Sequence, residues 1–120
     1  MALPRRHRLS HHRAFAAVHR QGKRGRSHHL TVGILPYGDA SQPVPSQFGI
    51  TVSQKVSKRA VVRNRLKRQI SAALHQLLPL VKGNYWVVIV VRPAAVECAC
   101  GQFLQELKQL FTELEVIHGD

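Results

Sequence analysis

One segment restricts the fold more than any other: RAVVRNRLKRQISAALHQLL, residues 59–78. Val62, Leu66, Ile70, Ala73 and Leu77 recur at steps of four, four, three and four, which is a single apolar stripe on a helix. Pro79 and Gly83-Asn84 end it. Before it, Phe48, Ile50 and Val52 alternate with Gly49, Thr51 and Ser53, the period of a strand over 48–53. That strand's solvent-side residues are small, so a ligand could approach its backbone closely. After the helix, YWVVIVV (85–91) is an unbroken apolar run rich in β-branched residues, expected of a strand buried on both faces. A strand, a long helix and a second strand in that order imply parallel pairing across a crossover, right-handed by the general rule.

The remaining segments read around this unit. Ser10 is a good N-cap for a short helix through HHRAFAAVHRQG, with Phe15 and Val18 at i, i+3 and Gly22 as its stop. KRGRS reads as a basic connector. Residues 29–35 alternate, placing Leu30, Val32 and Ile34 on one face of a strand ended by Pro36. A Pro/Gly/Ser-rich loop follows, and a last helix is predicted from Cys98 to Val116. Phe103, Leu107, Leu110 or Phe111, and Leu114 face inward on it; Gln105, Glu106, Gln109 and Glu113 form its outer face. No repeat or second domain is visible. Residues 1–120 read as a single α/β domain, a two-layer sandwich of a mixed sheet with about three helices.

Charge narrows the partner. Of eighteen Lys and Arg, seventeen lie at or before Arg92, and before Glu97 the only acid is Asp39, so residues 1–96 carry +16. Residues 97–120 set Lys108 against five acids, for −4. So basic a surface repels itself and is stabilised by a polyanion. Nucleic acid leads. An anionic membrane is second, but the only Trp, Trp86, sits in a strand-like run instead of opposite a basic helix face. No apolar run approaches the ~20 residues of a membrane span, and the basic N-terminus lacks the apolar stretch of a signal peptide.

The same imbalance opposes a self-sufficient metal-dependent nuclease, which needs several carboxylates to hold Mg²⁺. The basic region offers one, in a loop. Any nucleic-acid chemistry therefore needs a metal site built by a partner. Cys98 and Cys100 are too close for an easy disulfide and have no second metal-type pair, as fits a reduced cytosolic protein. His11-His12 and His28-His29 are adjacent pairs, poorly placed for one tetrahedral zinc, and serve better as added positive charge.

The informative stretch is Gln54 to Arg68. On a helix Arg59 and Arg63, Arg63 and Lys67, and Asn64 and Arg68 are i, i+4 neighbours, and no Glu relieves the like charges. The apolar stripe turns inward, so these side chains project into solvent as a phosphate-binding face. GITVSQKVSKRAVVRNRLKRQI (49–70) closely resembles the most characteristic stretch of the bacterial ribonuclease P protein family, with Arg63-Asn64-Arg65 and Lys67-Arg68 at its Arg-Asn-Arg-x-Lys-Arg signature. LPRRHRLSHHRAFAAVHRQGKR (3–24) resembles the family's N-terminal helix, and YWVVIVVRPAA (85–95) its late strand.

The resemblance implies a left-handed crossover, overriding the general rule, and an accessory subunit of a ribonucleoprotein endoribonuclease. A partner catalytic RNA, with Mg²⁺ held mainly by that RNA, would cut the 5′ leader from precursor tRNA. The protein would contribute no catalytic residue and no metal ligand, need no protein partner or membrane, and work in the cytoplasm. Lys55, Arg59, Arg63, Asn64, Arg65, Lys67 and Arg68 would bind RNA; Phe15, Thr51 and Ser53 would line a leader cleft between the sheet and the N-terminal helix. The sequence departs from the family pattern at Gln54, where Lys is frequent, and at Ser71, Ala72 and Leu74, where an Arg-Glu pair and a later aromatic are common. At His19 the family often has a second aromatic. A structural RNA-binding protein of ribosomal type is the alternative reading.

Overall fold

The computed structural model describes residues 3–97 and 100–118. The stripe on 59–78 forms the longest helix, α2 (Ala60–Leu77), with Leu66, Ile70, Ala73, Leu74 and Leu77 buried. The strands flanking it, β3 (Gln47–Thr51) and β4 (Tyr85–Val91), pair in parallel, Phe48 opposite Val87 and Thr51 opposite Val90. β2 (Leu30–Pro36) runs antiparallel on the other side of β4. The residues 23–26 read as a connector instead form an edge strand, β1 (Lys23–Arg26), antiparallel to β2. Its sequence lacks apolar alternation because an edge strand at the rim of the core needs little: three of its four residues are exposed and the fourth is a glycine. The sheet order is β1-β2-β4-β3.

Helices cover both faces unequally. α2 and α3 (Cys100–Glu113) pack over the face carrying Leu30, Val32, Ile34, Phe48, Val87, Ile89 and Val91, with Phe103, Leu107, Leu110 and Phe111 of α3 completing the main core. The predicted start of that helix at Cys98 lies outside the described residues. It stops at Glu113 instead of Val116 because Glu115 adopts a left-handed φ of 62°, letting its N–H reach Thr112 O and the Val116 N–H reach Phe111 O. That is a Schellman turn without the glycine that usually announces one.

Among the described residues the opposite face meets only the short α1 (His12–Gln21), whose Ala14 and Val18 pack with Leu9 and Val88 in a second, smaller cluster. α1 begins two residues beyond the expected Ser10 cap. The Leu9 N–H donates to Phe48 O at 3.0 Å, which keeps the chain extended along β3, and His11 becomes the N-cap. α1 is too short to cover the whole face. β4 is therefore not buried on both sides throughout: Val90 is 42% exposed. β3 likewise ends at Thr51, leaving Ser53 in the following turn.

Candidate nucleic-acid interface

Strand register sorts every sheet residue onto one face or the other. Arg24 and Arg26 of β1, Thr31, Gly33 and Leu35 of β2, Trp86, Val88 and Val90 of β4, and Gln47, Gly49 and Thr51 of β3 all share the α1 face. Two glycines let α1 approach so closely. A Cβ at Gly49 would stand 2.4 Å from Phe15 Cζ, and one at Gly33 would stand 3.0 Å from Val18 Cγ1. The Phe15 ring therefore rests directly on the β3 backbone, half-buried, and the small residue expected to admit a ligand admits this ring instead.

On the Phe15 side of α1 lies a groove of about 230 Å³, walled by Phe15, Val18, His19 and Arg24 and floored by Thr31, Gly33, Val88 and Val90. Its open end continues along one row across all four strands: Arg26, Thr31, Val90 and Thr51 are successive cross-strand partners. Arg24 is fixed in the wall by donating to the His19 carbonyl at the end of α1. On its other side Phe15 borders a second groove of about 280 Å³ with Leu9, Phe48, Ile50, Ser71 and Lys67. Lys67 thus joins the basic helix to the cleft.

The structure divides the signature residues. At 3.6 residues per turn Arg63 and Lys67 share one flank of α2, while Arg65 lies about 160° around the helix from Lys67. Arg63 Nη1 donates to Ser57 O at 2.9 Å, which ties it to the loop before the helix. Arg59, Asn64, Arg65, Lys67 and Arg68 are exposed. The segment is a cationic wrap around the first turns of α2 and does not form a single face. Lys55 is exposed in the preceding turn, which Ser53 organises: its hydroxyl accepts from the Lys55 N–H at 3.2 Å and its carbonyl from the Val56 N–H at 3.1 Å. Ser53 therefore shapes the turn, whereas Thr51 lies exposed on the cleft row.

Sequence reasoning missed Arg24, Arg26, Thr31 and Val90. The signal was present in KRGRS, where two arginines two apart fall on one side of a strand. It also placed Glu106 on the outer face of the last helix. Glu106 instead clamps the β1–β2 turn: Oε2 meets His29 Nδ1 at 2.5 Å, while Oε1 accepts from the Ser27 hydroxyl and, at 3.1 Å, from the His29 N–H. Burial alone would push its carboxyl up. The hydrogen bonds from Ser27 and His29, with the His29 charge, outweigh burial and hold it below the usual carboxylate range. This clamp orients β1, and so the arginines of the cleft.

No carboxylate among the described residues lines either groove beside Phe15. Among the described residues no group of three or more His, Cys, Asp or Glu could hold a metal ion. The cleft's donors are cationic or hydroxyl and do not fit a Mg²⁺ site. Among those residues no helix is long and apolar enough to cross a membrane.

Comparison with known proteins gives the arrangement a family. The family model described as Ribonuclease P matches residues 3–115. The ribonuclease P protein component of Microcystis aeruginosa is 50% identical over 119 residues, 99% of each chain. The solved RNase P protein of Staphylococcus aureus superposes with a TM-score of 0.79 at 19% identity, covering 93% of this chain and 98% of that one. That of Thermotoga maritima gives 0.74 at 22% identity, with the same coverage. The two structures speak for the fold; the match along nearly the whole sequence speaks for more. The chain belongs to the ribonuclease P protein family.

Proposed function

We propose that this protein, a subunit of ribonuclease P that partners with the enzyme's RNA, binds that RNA through the cationic wrap of α2 and holds the 5′ leader of precursor tRNA in the Phe15 cleft. The carrying observation is the continuity of the surface. Lys67, Phe15, Arg24 and the row Arg26–Thr31–Val90–Thr51 follow one another without an intervening carboxylate among the groove linings. Such a path offers cations to phosphates, an aromatic ring to a base, and sheet backbone beneath.

Hydrolysis is assigned to the RNA, with Mg²⁺ held there, because the cleft lacks the oxygen donors that this ion requires. The protein's own residues position the scissile end and neutralise charge; they transfer no proton. A cytoplasmic location fits this role. The ribosomal-type alternative has no support from relatives matched over the full length, which carry the ribonuclease P description.

Phe15→Ala tests the proposal. It should weaken binding of leader-bearing precursor by roughly 5- to 150-fold, the equivalent of ~1–3 kcal/mol of base stacking, and leave mature tRNA unaffected. Equal loss for both RNAs, with a lowered melting temperature, would make Phe15 a core residue only.

A further inference from the structure

α1 divides its face of the sheet into two sides, and the proposed leader cleft occupies only one. On the other, Trp86 and Tyr37 stack with ring centroids 5.0 Å apart and planes inclined by 13°. The Tyr37 hydroxyl donates to the Pro45 carbonyl, which fixes the pair. Trp86 is partly buried against the small cluster beneath α1, and its remaining surface opens into a groove of about 350 Å³. His11, His12 and Arg13, all exposed, form the rim and Ala14 completes the lining, with no carboxylate among the described residues there. A rigid indole beside three side chains able to carry positive charge is the chemistry that takes one unpaired nucleotide: base on the ring, phosphate at the rim.

We infer that this groove is a second RNA contact, in which an unpaired base of the ribonuclease P RNA stacks on Trp86 while Arg13 and the histidine pair hold its phosphate. The choice of occupant rests on the proposed placement of the leader beside Phe15. With side chains α1 is about 10 Å thick, so a strand lying in that cleft does not reach Trp86 without crossing the helix. The RNA available to this side is the partner with which the family assembles.

Trp86 is the only tryptophan in the chain, so its emission reports this site alone. Full-length protein is titrated with the ribonuclease P RNA transcript, saturation being established independently by gel mobility shift. The expected result is quenching of Trp86 emission and protection from acrylamide. Arg13→Ala combined with His12→Ala, both at exposed positions, should shift the titration to higher RNA concentration and lower the salt slope by about 0.7 per lost contact. Unchanged emission at saturating RNA overturns the inference, and so does quenching produced by a leader oligonucleotide alone. A silent Trp86 alongside a leader-specific Phe15 effect refutes this site and spares the cleft; quenching alongside a Phe15→Ala variant that binds leader normally does the reverse.

Discussion

Gly49→Ala probes the join between sheet and helix with one carbon atom. The added Cβ would stand 2.4 and 2.5 Å from Phe15 Cζ and Cε1, whereas carbon atoms rest at about 3.5 Å or more, so the ring must recede by roughly 1 Å. β3 is the other edge strand, but Gly49 is held opposite Val88 between the Phe48–Val87 and Ile50–Ile89 pairs of the parallel ladder, so the ring yields before the backbone. Overpacking costs ~1–3 kcal/mol in general. Here the lower end applies, since the clash falls on the tip of a side chain with grooves on both sides. Stability should therefore fall by about 1 kcal/mol, a few degrees in melting temperature for a chain of this size. Leader affinity should fall further, by up to the full stacking effect of ~1–3 kcal/mol, because the displaced ring no longer meets the base.

The assay is a double-mutant cycle: Gly49→Ala, Phe15→Ala and both, each measured by thermal melting and by binding of precursor tRNA against mature tRNA. In the Phe15→Ala background, Gly49→Ala should cost almost nothing in either readout, since the clash partner is gone. Additive losses in leader binding, or a Gly49→Ala protein that binds leader normally, would refute the placement of Phe15 as the cleft's stacking ring.

The two flanks of α2 should separate in the same binding assays. Lys67→Ala should weaken leader-bearing precursor more than mature tRNA, whereas Arg65→Ala, on the far flank, should weaken ribonuclease P RNA binding alike for both and reduce its salt slope by about one unit; identical behaviour of the two would deny Lys67 its link to the cleft. Glu106→Gln should destabilise the fold by about 1.5–3 kcal/mol at pH 7, as loss of a charged hydrogen-bond acceptor does. Its carboxyl is held low in the folded state, so the wild-type advantage is complete above the unfolded value of about 4.3 and disappears as pH falls through the lower folded value. Urea unfolding at pH 7 and pH 3 measures the change, and an equal difference at both would mean that the carboxylate contributes no charge-dependent stability.

What the sequence made legible followed from periodicity and charge. The α2 stripe, the flanking strands and their parallel pairing all come from side-chain patterns that burial enforces. The signature residues were visible too, because seven basic or amide side chains without an acid between them leave few readings. Three kinds of feature were hidden. β1 carries no apolar pattern since it lies at the sheet edge, so its arginines read as a linker. The exposure of Val90 depends on where α1 ends over the sheet, which one strand's composition does not encode. The Glu106 clamp joins residues 77 apart in the chain, and one acid on an acidic helix gives no local sign of such a partner. The charge run around Arg63 also concealed its geometry, for residues two apart on a helix diverge however alike they are.

The central claim, that this chain grips and places an RNA whose partner RNA cuts it, is tested most directly by mixing labelled precursor tRNA with protein freed of RNA, with ribonuclease P RNA, and with both, at low Mg²⁺. The protein alone should give no cleavage, the RNA alone slow cleavage, and the two together faster cleavage at the mature 5′ end. Cleavage at that site by the RNA-free protein would contradict the claim.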